Sequence, residues 1–235
     1  MKQSNPKDSK KPEPVIKLTR RRSESDKQEF KEQLIALSRK ILSERGADAV
    51  TVRSVALEAG ISPMAMYRYF PGKTALVSYV MDDVLVSAMK YCNEQVARHR
   101  APYTKLGAWL SSYVDFWLER PDYFRLVFLQ PAMNPTAQIE TSFWTHAKAP
   151  SLMKASLHGL LYACWNLDRV TVTDIAAVTD QIAIGHIGLL HYLIARANSP
   201  MVDVQQIRHF ANRNMLEMVR NAHVWTKDKV KKHAP

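Results

Sequence analysis

A chain of 235 residues with 46% hydrophobic residues is long enough to bury a sizeable core, in one large domain or two. Its formal net charge of +11 sits mainly at the ends: residues 1–23 carry eight Lys/Arg against two acids and residues 227–235 four lysines against one aspartate, which leaves +2 on residues 24–226. Only seven glycines, long helix-compatible runs and no sustained alternating pattern argue against a β-rich fold.

The polar, basic start has no apolar core of a secretory signal. The most apolar uncharged run, residues 182–195, is shorter than the roughly 20 residues of a membrane span and holds His186 and His191, so a buried helix is expected. Five residues apart, these histidines do not have the spacing of a helical zinc pair and are expected in core or interface; no metal or cofactor is expected. Cys92 and Cys164 are distant and lack metal-ligand spacing, which suits two free thiols in a reducing compartment, the cytoplasm.

Residues 1–24, rich in Lys, Pro and Ser, are expected to be a disordered basic arm. Arg20-Arg21-Arg22 would suit a DNA backbone or minor groove, and suits a plain leader equally well. Phe30, Leu34, Leu37 and Ile41 predict a helix from near Asp26 to Arg45, stopped by Gly46.

The stretch from Thr51 to Leu76 is the most informative. Thr51 is a good N-cap for a helix with Val52, Val55, Ala56 and Ala59 on one face. Gly60 can close that helix in the left-handed conformation, and Ile61 can plug the gap to the next one. Ser62 caps a second helix with Pro63 at its first position, running to Tyr69. Pro71-Gly72 breaks it and Lys73 opens a third. Helix, glycine turn and second short helix is the geometry that puts a helix into a DNA major groove.

With Val55-Ala56, Ala59-Gly60-Ile61-Ser62, Tyr67, Tyr69-Phe70, Lys73 and Leu76 at these spacings, the stretch resembles the DNA-binding domain of the TetR family of bacterial transcriptional regulators. The likeness covers about residues 27–80. It implies that Pro63–Tyr69 is the reader helix and that Thr51, Tyr67, Tyr69 and Lys73 occupy phosphate positions. Tyrosine hydroxyls and a lysine at a helix N-terminus suit phosphate oxygens. The resemblance places Arg53 where some members read a base, and an arginine can take guanine O6 and N7 together. Pro63, Met64 and Ala65 fall on base-facing positions but can offer only apolar contact, to thymine methyls, so base readout leans on Arg53, Ser62 and Arg68. Met66 and Phe70 are expected in the core.

Beyond Lys73 a helix is expected to about Val96, then others over Thr104–Glu119, Tyr123–Leu129, 137–166 with a break near Pro150, Thr173–Ala197 and Val202–Val224. Glu119-Arg120-Pro121-Asp122-Tyr123-Phe124-Arg125-Leu126 is similar to an arrangement in the family's regulatory domain. The last two helices are apolar enough to require cover, either within a monomer core or from a second copy in a two-fold four-helix interface. The resemblance implies the second, a homodimer. Trp109, Tyr113, Phe116, Trp117, Phe124, Phe128, Trp144 and Trp165 cluster mid-chain. They suit an ordinary core, and also a cavity for an apolar or flat ligand, which is where family members sense small molecules. Glu58 and the Asp82-Asp83 pair read as solvated faces.

The expectation is therefore an all-α protein in four parts: a basic arm (1–24), a helix-turn-helix domain (25–72), a helical ligand-binding and dimerisation domain (73–226) and a basic tail (227–235). The function that follows is a sequence-specific regulator, a repressor, bound as a homodimer to a double-stranded DNA operator and released by a small-molecule effector, with no membrane association. Two alternatives stay open: a non-specific DNA-binding protein driven by its basic tails, and an enzyme using the aromatic cavity. No Gly-rich phosphate loop, nucleophile elbow or acid–base set supports catalysis.

Overall fold

Ser23 opens the first helix, α1 (Glu24–Arg45), with a reciprocal cap. Its hydroxyl accepts from the Asp26 amide at 3.1 Å while Asp26 Oδ2 accepts from the Ser23 amide at 3.0 Å. The computed structural model describes residues 23–129, 147–165, 172–197 and 199–232, with side chains described for 23–129, 147–165, 175–197 and 199–222. Among the described residues every regular element is helical. The expected basic arm, apart from its last residues, lies outside the described residues, as do the side chains of the basic tail.

Phe30, Leu34, Ile41 and Leu42 of α1 are buried, as the apolar stripe predicts. A short 3-10 turn (Ala47–Ala49) leads to α2 (Val52–Glu58), capped by Thr51. Its far end closes as a Schellman turn: the Ile61 amide donates to the Ala56 carbonyl at 3.0 Å and the Gly60 amide to Leu57 at 3.1 Å. This closure needs Gly60 at φ +66°, a conformation that costs other residues, and it buries Ile61. The next helix, α3 (Pro63–Met66), is shorter than expected; a turn carries the chain from Tyr67 to Tyr69.

The long α4 (Lys73–Val96) connects this unit to the rest. It packs against α1, against α5 (Pro102–Leu118) and against α7 (Ala149–Cys164). Toward α1, Arg39 Nη1 donates to Asp83 Oδ2 at 3.0 Å and to Ser87 Oγ at 3.1 Å, and the Lys31 ammonium lies 3.5 Å from the Tyr79 ring centre. Toward α7, Asp82 Oδ1 accepts from the Lys148 and Ala149 amides, each at 2.8 Å. These amides begin α7 and have no partner inside it, so the carboxylate caps the helix from another part of the chain. The solvated reading of the Asp82-Asp83 pair is thus corrected: Asp82 is 8% exposed and Asp83 is half-buried against Arg39, its carboxyl raised by burial despite that guanidinium. Glu58 is exposed, as read, and bridges Lys40 at 3.4 Å and Arg45 at 2.8 Å.

After α5, α6 (Pro121–Phe124) runs into a wider π turn over Arg125–Leu129, where a regular helix was expected. Of the helix expected over 137–166, residues 149–164 are described as α7; residues 130–146 lie outside the described residues. The last two helices, α8 (Val172–Ala195) and α9 (Val204–Lys232), pack on each other and on α5. Arg208 pairs with Asp115 and Asn212 with Ser111 to hold α9 on α5, and the Trp165 indole donates to the Val219 carbonyl at 2.9 Å. No helix among the described residues is long and apolar enough to cross a membrane.

Candidate nucleic-acid interface and internal cavity

The α2–turn–α3 unit sorts its side chains into two sets. Met66 and Phe70 are fully buried and brace the unit against α1 and α4. Arg53, Ser62, Pro63, Met64, Tyr67, Arg68 and Lys73 are exposed, Met64 at 76% and Tyr67 at 52%. An exposed methionine of this extent on a capped helix has no packing role in this chain. Ala65 is half-buried.

Two of the expected phosphate residues already serve the fold. Thr51 Oγ1 accepts from the Ser54 amide and Ser54 Oγ accepts from the Thr51 amide, each at 3.0 Å. Tyr69 is half-buried, its ring 5.2 Å from Phe30. Tyr67 and Lys73 are the more open pair. Lys73 begins α4 behind Gly72, which offers no side-chain cap, so the first amides of α4 remain available beside a positive side chain. Arg53 and Arg68 add two exposed cations. Glu58, the acid nearest in sequence, is held below the usual carboxylate range by hydrogen bonds from Arg45 and then Lys40, which also offset its charge.

The second feature lies behind this unit, between α4, α5, α7 and α8. It is a cavity of about 210 Å³. Of the aromatic cluster expected there, Trp109, Tyr113 and Phe128 line it. Phe116, Trp117, Phe124 and Trp165 are buried but do not line it; Trp117 packs edge-on against Phe124 and Phe128, and Phe116 lies under the Arg120 guanidinium. Trp144 lies outside the described residues.

Several lining residues had no individual signal in sequence. Met81, Leu85 and Met89 come from α4, the same helix that begins at Lys73. Thr179 and His186 come from α8. The lone polar residues in an apolar run were the one available hint. His186 is 1% exposed and its ring tilts against Tyr113 at 5.1 Å. Burial lowers its pKa to about 4, a shift partly opposed by the Leu110 carbonyl, so the ring is neutral. Burial raises the Tyr113 phenol well above its ordinary range, so it stays protonated.

A capped helix–turn–helix with exposed cations on its outer face is thus joined by one long helix to a helical body with an apolar cavity. Residues 34–80 match the family model for bacterial regulatory proteins of the tetR family. A curated relative, the nucleoid occlusion factor SlmA of Glaesserella parasuis, is 31% identical over 117 residues, 49% of this chain and 55% of that protein. The chain thus spans about half the length of the curated relatives it matches. Solved structures agree in fold. FadR of Bacillus subtilis in complex with stearoyl-CoA has a TM-score of 0.59 at 14% identity, covering 80% of this chain and 96% of that one. BioQ with its double-stranded DNA operator has a TM-score of 0.56 at 20% identity, with the same coverage.

Proposed function

We propose that this chain is a cytoplasmic transcriptional repressor that binds a palindromic operator as a homodimer and is released by a small apolar effector, acting by binding and not by catalysis. Residues 25–72 form the reading head and 73–226 the sensing and dimerising body. The observation that carries this reading is α4. One helix begins at Lys73, beside the exposed DNA face, and supplies Met81, Leu85 and Met89 to the cavity wall. At 1.5 Å per residue, Lys73 and Met89 are about 24 Å apart along one rigid rod.

On DNA, α3 enters the major groove. Tyr67, Tyr69, Lys73 and Thr51 hold phosphates and fix the register, while Arg53, Ser62 and Arg68 meet base edges and Pro63, Met64 and Ala65 the apolar groove floor. Two heads of a dimer must then sit about 34–36 Å apart to meet successive grooves. A ligand that fits the cavity best when α4 is tilted stabilises heads spaced for no operator, and release follows from that differential affinity alone. The operator complex of BioQ and the stearoyl-CoA complex of FadR support a fold of this kind serving both tasks. The outward residues of α8 and α9, Ile184, Tyr192 and Phe210 among them, support the dimer face.

The test is fluorescence anisotropy on DNA flanking the protein's own gene, with excess random-sequence competitor. Parent protein should bind through the competitor. A Tyr67→Ala, Lys73→Ala double variant should bind at least about tenfold more weakly, with the salt slope reduced by about one per lost lysine contact. Unchanged affinity in that variant would remove these residues from the interface. Binding that the competitor abolishes in the parent would favour non-specific attraction by the basic tails.

A further inference from the structure

The cavity is walled by single faces of several helices. Met81, Leu85 and Met89 recur at every fourth residue of α4, Met153 and Leu157 do the same on α7, and Thr179 and His186 lie two turns apart on α8, so the members of each set point the same way. Among the described lining residues there is no Lys, Arg, Asp or Glu. A carboxylate or ammonium placed inside would be stripped of water with no counter-charge, which is strongly disfavoured. An engineered apolar cavity of roughly 150 Å³ accepts benzene, so about 210 Å³ suits a body of about eight to eleven non-hydrogen atoms.

The polar side chains on the wall add little. Thr179 spends its hydroxyl proton on the Ile175 carbonyl, at 2.8 Å. Trp109 Nε1 and His186 Nε2 have essentially no accessible surface, so neither nitrogen is presented to the cavity. The wall gives an ion no partner and a hydrogen-bonding group little reward, and affinity rests on the apolar surface that a ligand takes out of water. Three of the side chains that supply this surface are methionines, Met81 and Met89 from α4 and Met153 from α7. Met81 and Met89 are each 2% exposed, so they are spent on the interior and not on solvent. An unbranched thioether with three rotatable bonds can re-pack around different shapes, where branched side chains hold one shape.

We propose that the cavity takes uncharged, hydrocarbon-like molecules of this size as a class, flat or puckered, selecting by charge and volume and not by a directed hydrogen bond. This rests on the reading of the cavity as the effector site. It goes further in excluding ionised ligands of equal bulk and in assigning the breadth of the class to Met81, Met89 and Met153.

The experiment is calorimetric titration of the full chain at pH 7 with four probes of similar bulk: 1-methylnaphthalene, which is flat; decalin, which is saturated and puckered; 1-naphthol; and 1-naphthoate, which is ionised. Wild type should bind the two hydrocarbons within about tenfold of each other, 1-naphthol no more tightly than 1-methylnaphthalene, and 1-naphthoate at least about a hundredfold more weakly. The Met81→Leu, Met89→Leu, Met153→Leu triple variant conserves volume, and should keep one hydrocarbon while weakening the other about tenfold, a split that a merely space-filling role would not produce. Circular dichroism melts confirm that the variant is folded, and Met153→Leu alone, at a half-buried position, carries the test if the triple variant is not. Binding of 1-naphthoate as tight as that of 1-methylnaphthalene, or a preference for 1-naphthol of about tenfold, overturns selection by charge and volume. A wild type that binds only one of the hydrocarbons, or a methionine variant as broad as wild type, overturns the assignment of breadth to the methionines. Failure of wild type to bind any of the four probes overturns the effector-site reading itself.

Discussion

His186 makes the fold sensitive to mild acid. Its folded pKa is lowered to about 4, against about 6.5 for an unfolded histidine, because burial disfavours the charged ring. The unfolded chain therefore binds the extra proton first. The stabilisation from keeping the ring neutral is present in full above about pH 6.5 and is lost as pH falls from 6.5 toward 4. From pH 7 to pH 5 this one residue should cost about 2 kcal/mol of stability. Urea unfolding at the two pH values should show a drop of that order in wild type and a smaller one in His186→Leu. Equal drops in both proteins would mean that other groups carry the acid sensitivity.

At the scale of elements, the elbow between α2 and α3 is the most constrained point of the reading head. Gly60 sits at φ +66° and closes the turn that aims α3. Gly60→Ala should lower stability by about 1 kcal/mol, read as a shift in the urea midpoint at unchanged slope. This elbow was legible in the sequence because all its instructions are local. Thr51 and Ser62 cap within three residues, Pro63 fits a first turn, and Gly60 stands where a left-handed residue is required. The cavity was only partly legible. Helix α5 is apolar around most of its circumference, so periodicity could place Trp109, Tyr113, Phe116 and Trp117 inside but not say which of them meets a void. The π turn at Arg125–Leu129, which brings Phe128 to the wall, has no pattern of its own. Asp82 looked like half of a solvated pair because its partners, the amides of Lys148 and Ala149, lie 66 and 67 positions away.

For the whole molecule, the proposed dimer would rest on the outer faces of α8 and α9. Ile184 is 64% exposed and Phe210 52%, on the two helices that the sequence marks as needing cover. At the centre of a two-fold interface, a buried unpaired carboxylate costs several kcal/mol, enough to separate the copies at micromolar concentration. Ile184→Glu and Phe210→Glu should therefore sediment as monomers where wild type sediments as a dimer, and should lose operator affinity with their reading heads intact by circular dichroism. A wild-type monomer would return these helices to a merely exposed surface and would end the two-head model of DNA binding. Close packing between the two helices also limits what can be changed there. A methyl group at Gly185 would come within 2.9 Å of the Met215 terminal carbon, so Met215 must move before even alanine fits.

The carboxylate of Asp82 has a consequence for how the start of α7 is held. It belongs to α4 yet completes the first turn of α7, and neither end of that contact is useful until a long loop has closed. Loop closure of this length carries its entropy cost before any contact rewards it. The start of α7, and with it one wall of the cavity, is therefore tied to α4 by a contact made across the chain, beside the packing of α7 on α4, α5 and α8. That wall is held by Asp82 together with the buried Leu157, Leu160 and Leu161 of α7.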